Sequence, residues 1–265
     1  MHSDITVRSI SEYVERVTSI SRLWCDEQCF TAPWFRGIGN SDEFRLLPRL
    51  YREPAIDHLK EEAKIRVAFS SRALPYLTST HKREPWDWYF LMQHYGVPTR
   101  LLDWTESALV ALYFALYSRR AEQSSVPAVW ALDPFALNSA TLGDSTIVVP
   151  SELNLAKYLP KCGSDVQGQL PLAVHPEYAD RRMNAQHSKF TMHGCVAVPL
   201  EDMQELQPLR NSGQLVRILI AAEDDSAIDD FKDSLALLGM RNSTVFPDLT
   251  GLAKDIRRDY TPTQE

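Results

Sequence analysis

Apolar positions near the N-terminus recur at helical spacing. Ile10, Val14, Val17, Ile20 and Trp24 share one face, and Ser9 with Glu12 three residues on forms a capping box, so a first helix is expected from about Ser9. A short strand over 32–37 follows and ends in a Gly-rich turn through Gly39 and Asn40. A long helix is expected over 56–74, with Ile56, Leu59, Ala63, Val67 and Phe69 as its apolar positions, and another over 86–95, presenting Trp88, Leu91, Met92 and Tyr95.

The pattern then changes twice. Residues 93–105 read Gln-His-Tyr-Gly-Val-Pro-Thr-Arg-Leu-Leu-Asp-Trp-Thr, polar and charged groups around a rigid Gly-x-Pro turn. Residues 108–116 carry no charge, so they predict a helix buried on nearly all sides. Asp103 or Thr105 is expected to cap it, with Glu106 completing a capping box, and Arg119 and Arg120 sit where the C-terminal dipole favours cations. Strands are expected at 127–132, at 145–149, at 189–198 with a bulge at Gly194, and at 214–222. Residues 150–178 show no sustained period and read as loop with short helices, and 181–186 as a helical turn. A helix opening at Ser226 presents Ile228, Phe231, Leu235 and Leu238 and ends at Gly239, and a last helix begins at 246–249. Helices first and strands mostly later indicate a single α+β domain over 1–265, its N-terminal helices packed on a mostly C-terminal mixed or antiparallel sheet.

The chain of 265 residues is 44% apolar with a formal net charge of −7, an ordinary globular composition without a global basic footprint for nucleic acid. Cys25, Cys29, Cys162 and Cys195 show no zinc-type spacing, and free thiols in a reducing cytoplasm are expected. The first four residues do not open a signal peptide and no apolar run reaches spanning length, so no membrane partner is expected. Phosphate-loop, dinucleotide-fingerprint, nucleophile-elbow and zinc-protease motifs are absent, and no metal is expected. Asp224, Asp225, Asp229 and Asp230 fall at a helix start, where acids are stabilising.

Four motifs remain: Phe35-Arg36-Gly37; Gln93-His94-Tyr95-Gly96 with Pro98-Thr99-Arg100-Leu101-Leu102-Asp103-Trp104-Thr105 and Ala111-Leu112-Tyr113-Phe114-Ala115; Gln186 with Phe190-Thr191; and Phe246-Pro247-Asp248-Leu249. With Leu47-Pro48 and a following Arg, they resemble the FRG-domain family, named for its Phe-Arg-Gly tripeptide. The resemblance covers most of the chain, with core motifs at about 30–255. Two positions depart from the pattern: Ser188 stands where the family usually has Gly, and Thr250-Gly251 where it usually has Asp-Gly. The family is known mostly as a bacterial domain, at times in settings of phage defence or toxicity, which implies an antidote protein as one partner.

A weaker resemblance is to ADP-ribosyltransferases, which carry an aromatic-Arg-Gly on an early strand and, in some members, an Arg-x-x-Ala-Glu segment later. Arg36 and the Arg182…Ala185-Gln186 segment are similar to these elements, in the same order. This resemblance implies NAD as ligand, with a protein or nucleic acid as acceptor. Arg36, Gln93, Tyr95, Thr99, Arg100, Arg182 and Phe190 are the expected nucleotide-binding residues, since guanidinium suits pyrophosphate and aromatics stack on bases. Asp103, His94 and Gln186 are the expected catalytic set. Gln186 carries no charge to stabilise an oxocarbenium-like centre, so Asp103, or else Asp248, supplies the carboxylate. Histidine's ordinary pKa suits His94 as a general base. Three functions fit these residues: an NAD-consuming transferase or glycohydrolase, a nucleotide-binding sensor without turnover, and a protein-interaction module.

Overall fold

The computed structural model describes residues 4–24, 32–53, 55, 57–77, 84–120, 125–149, 158–159, 168–176, 181–222 and 224–260. Its strands are β1 (Ile5–Val7), β2 (Trp34–Ile38), β3 (Leu101–Thr105), β4 (Ala128–Leu132), β5 (Leu172–Val174), β6 (Ser188–Met192) and β7 (Leu215–Ile220). The helices are α1 (Ile10–Trp24), α2 (Arg49–Arg52), α3 (His58–Ala73), α4 (Pro85–His94), α5 (Ala108–Tyr117), α6 (Pro134–Leu142), α7 (Arg181–Ala185), α8 (Gln207–Asn211), α9 (Asp225–Leu237), α10 (Asn242–Val245) and α11 (Leu249–Tyr260). The strands form one mixed sheet in the order β1-β7-β4-β2-β3-β6-β5, antiparallel except for the β1–β7 pair. The architecture is α+β.

Alternation along β2 divides the core. Phe35 faces a cluster containing Ala111, Leu112, Ala115, Ile218, Ile228 and Phe231, so α5 and α9 cover that side. Trp34 and Ile38 face the other side, with Leu102, Trp104, Trp130, Leu137 and Leu200. A third cluster joins α4 to the far strands through Trp86, Tyr89, Phe90, Leu101, Phe190 and Met192. As the uncharged run predicts, α5 buries Val110 to Tyr113, Ala115 and Leu116.

Several local expectations need correction. Ser107, whose hydroxyl accepts from Val110 N, is the cap of α5. Asp103 and Thr105 belong to a strand, and Glu106 pairs with Lys189 at 3.2 Å. Helix α3 buries Glu62, in an ion pair with Arg100, and leaves Val67 58% exposed, while Phe69 sets its ring edge-on to Trp88 of α4. Residues 145–149 make only an isolated bridge, Val148 to Val174, and the strand expected over 189–198 ends at Met192. Cys25, Cys29 and Cys162 lie outside the described residues, and Cys195 is a free thiol. Among the described residues no helix is long and apolar enough to cross a membrane.

Candidate functional site

The site begins with a failed strand pairing. β2 pairs with β4, and β3 with β6, over five residues each, yet β2 and β3 meet only at Phe35↔Thr105. Beyond that point the strands part, and a cleft of about 760 Å³ opens with residues 35–39 and 103–105 in its lining. The Arg36 side chain spans the gap. Its Nη1 donates to the Asp103 carbonyl at 2.6 Å, replacing the ladder partner that the parting removes, and lies 3.7 Å from Asp103 Oδ2.

The exposed Asp103 carboxylate is held by a relay that starts in the core. Thr99, fully buried, donates its hydroxyl to Gln93 Oε1 at 2.6 Å and accepts from Leu101 N. With its oxygen so occupied, the Gln93 amide turns Nε2 toward Asp103 Oδ2, at 2.7 Å. Helix α4 ends at His94, which lines the cleft with its ring edge-on to Tyr95 at 4.9 Å. On another wall, Arg182 of α7 lies 4.6 Å over the Phe246 ring, and Gln186 Nε2 donates to the Val245 carbonyl at 3.1 Å. Thr105 fixes that wall by donating to the Gln186 carbonyl, and His187, at φ 47°, makes the left-handed turn into β6. Ser188, one of the two departures from the family pattern, is among the residues that line the cleft.

The lining is locally basic in an acidic chain. Among the described residues the lining sets Arg36, Arg45, Arg52 and Arg182 against a single carboxylate, Asp103, and Arg45 is already paired with Glu201 and Asp202. Burial lowers the Arg36 pKa, the Asp103 charge opposes this, and Arg52 adds to it. Arg36 Nε is enclosed and has no hydrogen-bond partner among the described residues. An incompletely compensated guanidinium favours an anion in the cleft.

Of the expected site residues, Arg36, Gln93, His94, Tyr95, Asp103, Arg182 and Gln186 all line this cleft. Three expected ligand contacts are placed elsewhere. Arg100 is fully buried in an ion pair with Glu62, Phe190 packs its ring 5.4 Å from that of Phe90 in the core, and Thr99 acts one step back, through Gln93. Asp248 caps α11 by accepting from Gly251 N. Arg45, Arg52, Phe44 and Phe114 line the cleft although the sequence does not single them out. Arg52 carries a faint signal, lying one helical turn after the arginine that follows Leu47-Pro48. Among the described residues no group of three or more His, Cys, Asp or Glu side chains could hold a metal.

Behind the site His193 is fully buried and neither ring nitrogen has a hydrogen-bond partner among the described residues. Burial first, then the charges of Arg100 and Arg36, pull its pKa from 6.5 down to about 3. The unfolded chain therefore binds the extra proton first, so stability is complete above about pH 6.5 and is lost as pH falls toward 3. Unfolding free energies from urea titrations should fall with acidification by up to about 1.4 kcal/mol per pH unit in that window, and His193→Gln should flatten the slope. Equal slopes in wild type and variant would show that the histidine is solvated.

The family model of the FRG domain matches residues 31–124, which hold Phe35-Arg36-Gly37, the relay and α5; the segments around Gln186 and Asp248 lie beyond the match. Neither the curated proteins nor the solved structures contain a match to the chain. The parted strands, the relay and the helix pressed behind them thus coincide with the segment, residues 31–124, that matches the FRG domain.

Proposed function

We propose that the cleft binds NAD and cleaves its nicotinamide–ribose bond, passing ADP-ribose to water or to a protein or nucleic-acid acceptor. The observation that carries this reading is the Asp103 carboxylate, held by Gln93 at the mouth of an arginine-lined cleft. The volume of about 760 Å³ lies in the range of small-molecule sites. The orphaned donor on Arg36, with Arg182 opposite, fits a pyrophosphate, and Tyr95 and Phe114 offer aromatic surface to a ring. Asp103 stabilises positive charge developing on the ribose as the C1′–N bond breaks and nicotinamide leaves with the electron pair. Water, or the acceptor, forms the new bond to C1′ and gives its proton to His94. Gln186, its amide nitrogen engaged by Val245, hydrogen-bonds a ribose hydroxyl. Consumption of NAD suits the defence and toxicity settings implied by the FRG resemblance, an antidote protein being the partner such a toxin needs.

Asp103→Asn should lower nicotinamide release from NAD, read by mass spectrometry, on the order of 10²–10³-fold. Its melting temperature should stay close to wild type, because the carboxylate is exposed. A second reading, a sensor that binds nucleotide without turnover, is favoured by the 3.7 Å Arg36–Asp103 contact, which neutralises part of the carboxylate's charge. A nucleotide-induced rise in melting temperature without nicotinamide release would select the sensor. Neither effect would refute both.

A further inference from the structure

A second cavity, about 110 Å³, opens off the cleft and shares Arg36, Arg52, Gln93 and Asp103 with it, while Arg49 lines only this smaller space. Its volume equals roughly three or four waters of liquid, which admits one tetrahedral oxyanion and excludes a base or a sugar. Arg49 and Arg52 stand one helical turn apart on α2 and so flank the same space. Arg49 is held at the rim by donating to the Gly96 carbonyl at 3.3 Å and to Glu53. Arg52 makes no hydrogen bond and no ion pair within 4.0 Å among the described residues. Desolvation, then the neighbouring charge of Arg49, lowers the Arg52 pKa although Asp103 and Glu53 oppose this, so an anion between the two arginines relieves the remaining repulsion.

We propose that this side pocket is a phosphate-monoester subsite, so that the cleft's ligand is a dinucleotide carrying an additional phosphate, of the NADP type. The inference rests on the nucleotide reading above and narrows it. Arg182 stands over Phe246 on another wall, which gives the cleft a second cation away from the side pocket. Two cationic places match a ligand with two phosphate groups, a pyrophosphate and a monoester. The monoester is the more highly charged of the two and gains more from the neighbouring guanidiniums of Arg49 and Arg52, which leaves Arg36 with Arg182 for the pyrophosphate.

Calorimetry with NAD, NADP and inorganic phosphate, on wild type, Arg52→Ala and Arg49→Ala, tests this. Wild type should bind NADP at least about tenfold more tightly than NAD. Each variant should bring the ratio of the two affinities close to one, and inorganic phosphate should compete with NADP more strongly than with NAD. Arg49 and Arg52 are both exposed, so both variants should melt like wild type, and melting curves establish that losses are losses of binding. Equal wild-type affinities for NAD and NADP overturn the subsite while leaving the nucleotide reading intact. The subsite is likewise overturned if Arg52→Ala weakens both dinucleotides alike, since Arg52 then serves the shared pyrophosphate. Binding of neither dinucleotide overturns the nucleotide reading itself, and the subsite with it.

Discussion

Glu62→Ala should destabilise the protein by roughly 3–5 kcal/mol, because it strands a buried guanidinium. Glu62 and Arg100 are both 0% exposed, and their side chains meet at 2.7 Å. The second carboxylate oxygen accepts from Arg100 N at 3.0 Å. The guanidinium also donates to the carbonyls of His193 and Tyr158, so one side chain ties α3 to the start of β3, to the residue after β6 and to the 158–159 segment. Glu62 raises the Arg100 pKa against the effect of burial, so the arginine stays charged and its charge must be met. For a chain of this length the loss corresponds to a fall in melting temperature on the order of 10 °C. Arg100→Met should cost a similar amount. The double variant Glu62→Leu/Arg100→Met should recover part of it, since no lone charge remains. Recovery should stop about 1–3 kcal/mol short, because Arg100 N and the His193 carbonyl keep no partner. Urea unfolding of the four proteins, with m compared, measures this cycle. An Arg100→Met protein with unchanged midpoint and abolished nucleotide binding would return Arg100 to the ligand site.

That arginine shows where the sequence stops being informative. The motif from Gln93 to Thr105 has the residue types of a binding site, and the structure divides them by function through strand alternation and burial. Asp103, between the buried Leu102 and Trp104, is the exposed position of β3, while Arg100 lies in the turn ahead of it and points inward to Glu62. Glu62 is 38 positions away and looks like any acid on a polar helix, so nothing local marks its partner. Strands β1 and β5 are three residues each, too short for alternation to register, and β3 is obscured by the polar residues that line the cleft. By contrast α1, α5 and α9 are legible because each carries its full period or its full run of apolar residues. The cleft itself arises from a pairing that does not form, and the pairing of strands distant in sequence is set by tertiary packing. What the sequence does mark is the residues that such a gap needs: an arginine to bridge it and a glycine to let a helix press behind it.

Gly37→Ala should therefore cost about 3 kcal/mol or more, at the upper end of overpacking effects. A β-carbon at Gly37 would stand 1.9 Å from the Ala111 carbonyl oxygen and 2.6 Å from Ala115 N. Both are backbone atoms of α5, so no rotamer change relieves the contact. Restoring an ordinary separation requires α5 to move by well over 1 Å, and α5 is buried along most of its length in a close-packed core. The glycine is needed for this close approach, since its backbone is ordinary strand, unlike Gly143 at φ +74°, where a β-carbon meets nothing within 4 Å. Gly143→Ala should accordingly cost only the strain of a left-handed alanine, about 1 kcal/mol. Movement of α5 also displaces Phe114 and Ser118, which line the cleft, so any Gly37→Ala protein that folds should bind its ligand more weakly. Adding Ala111→Gly to Gly37→Ala separates the causes. The clash is with the Ala111 carbonyl, so trimming that side chain should restore nothing; a recovered urea midpoint would mean that side-chain crowding, and not the helix backbone, fixes glycine behind the cleft.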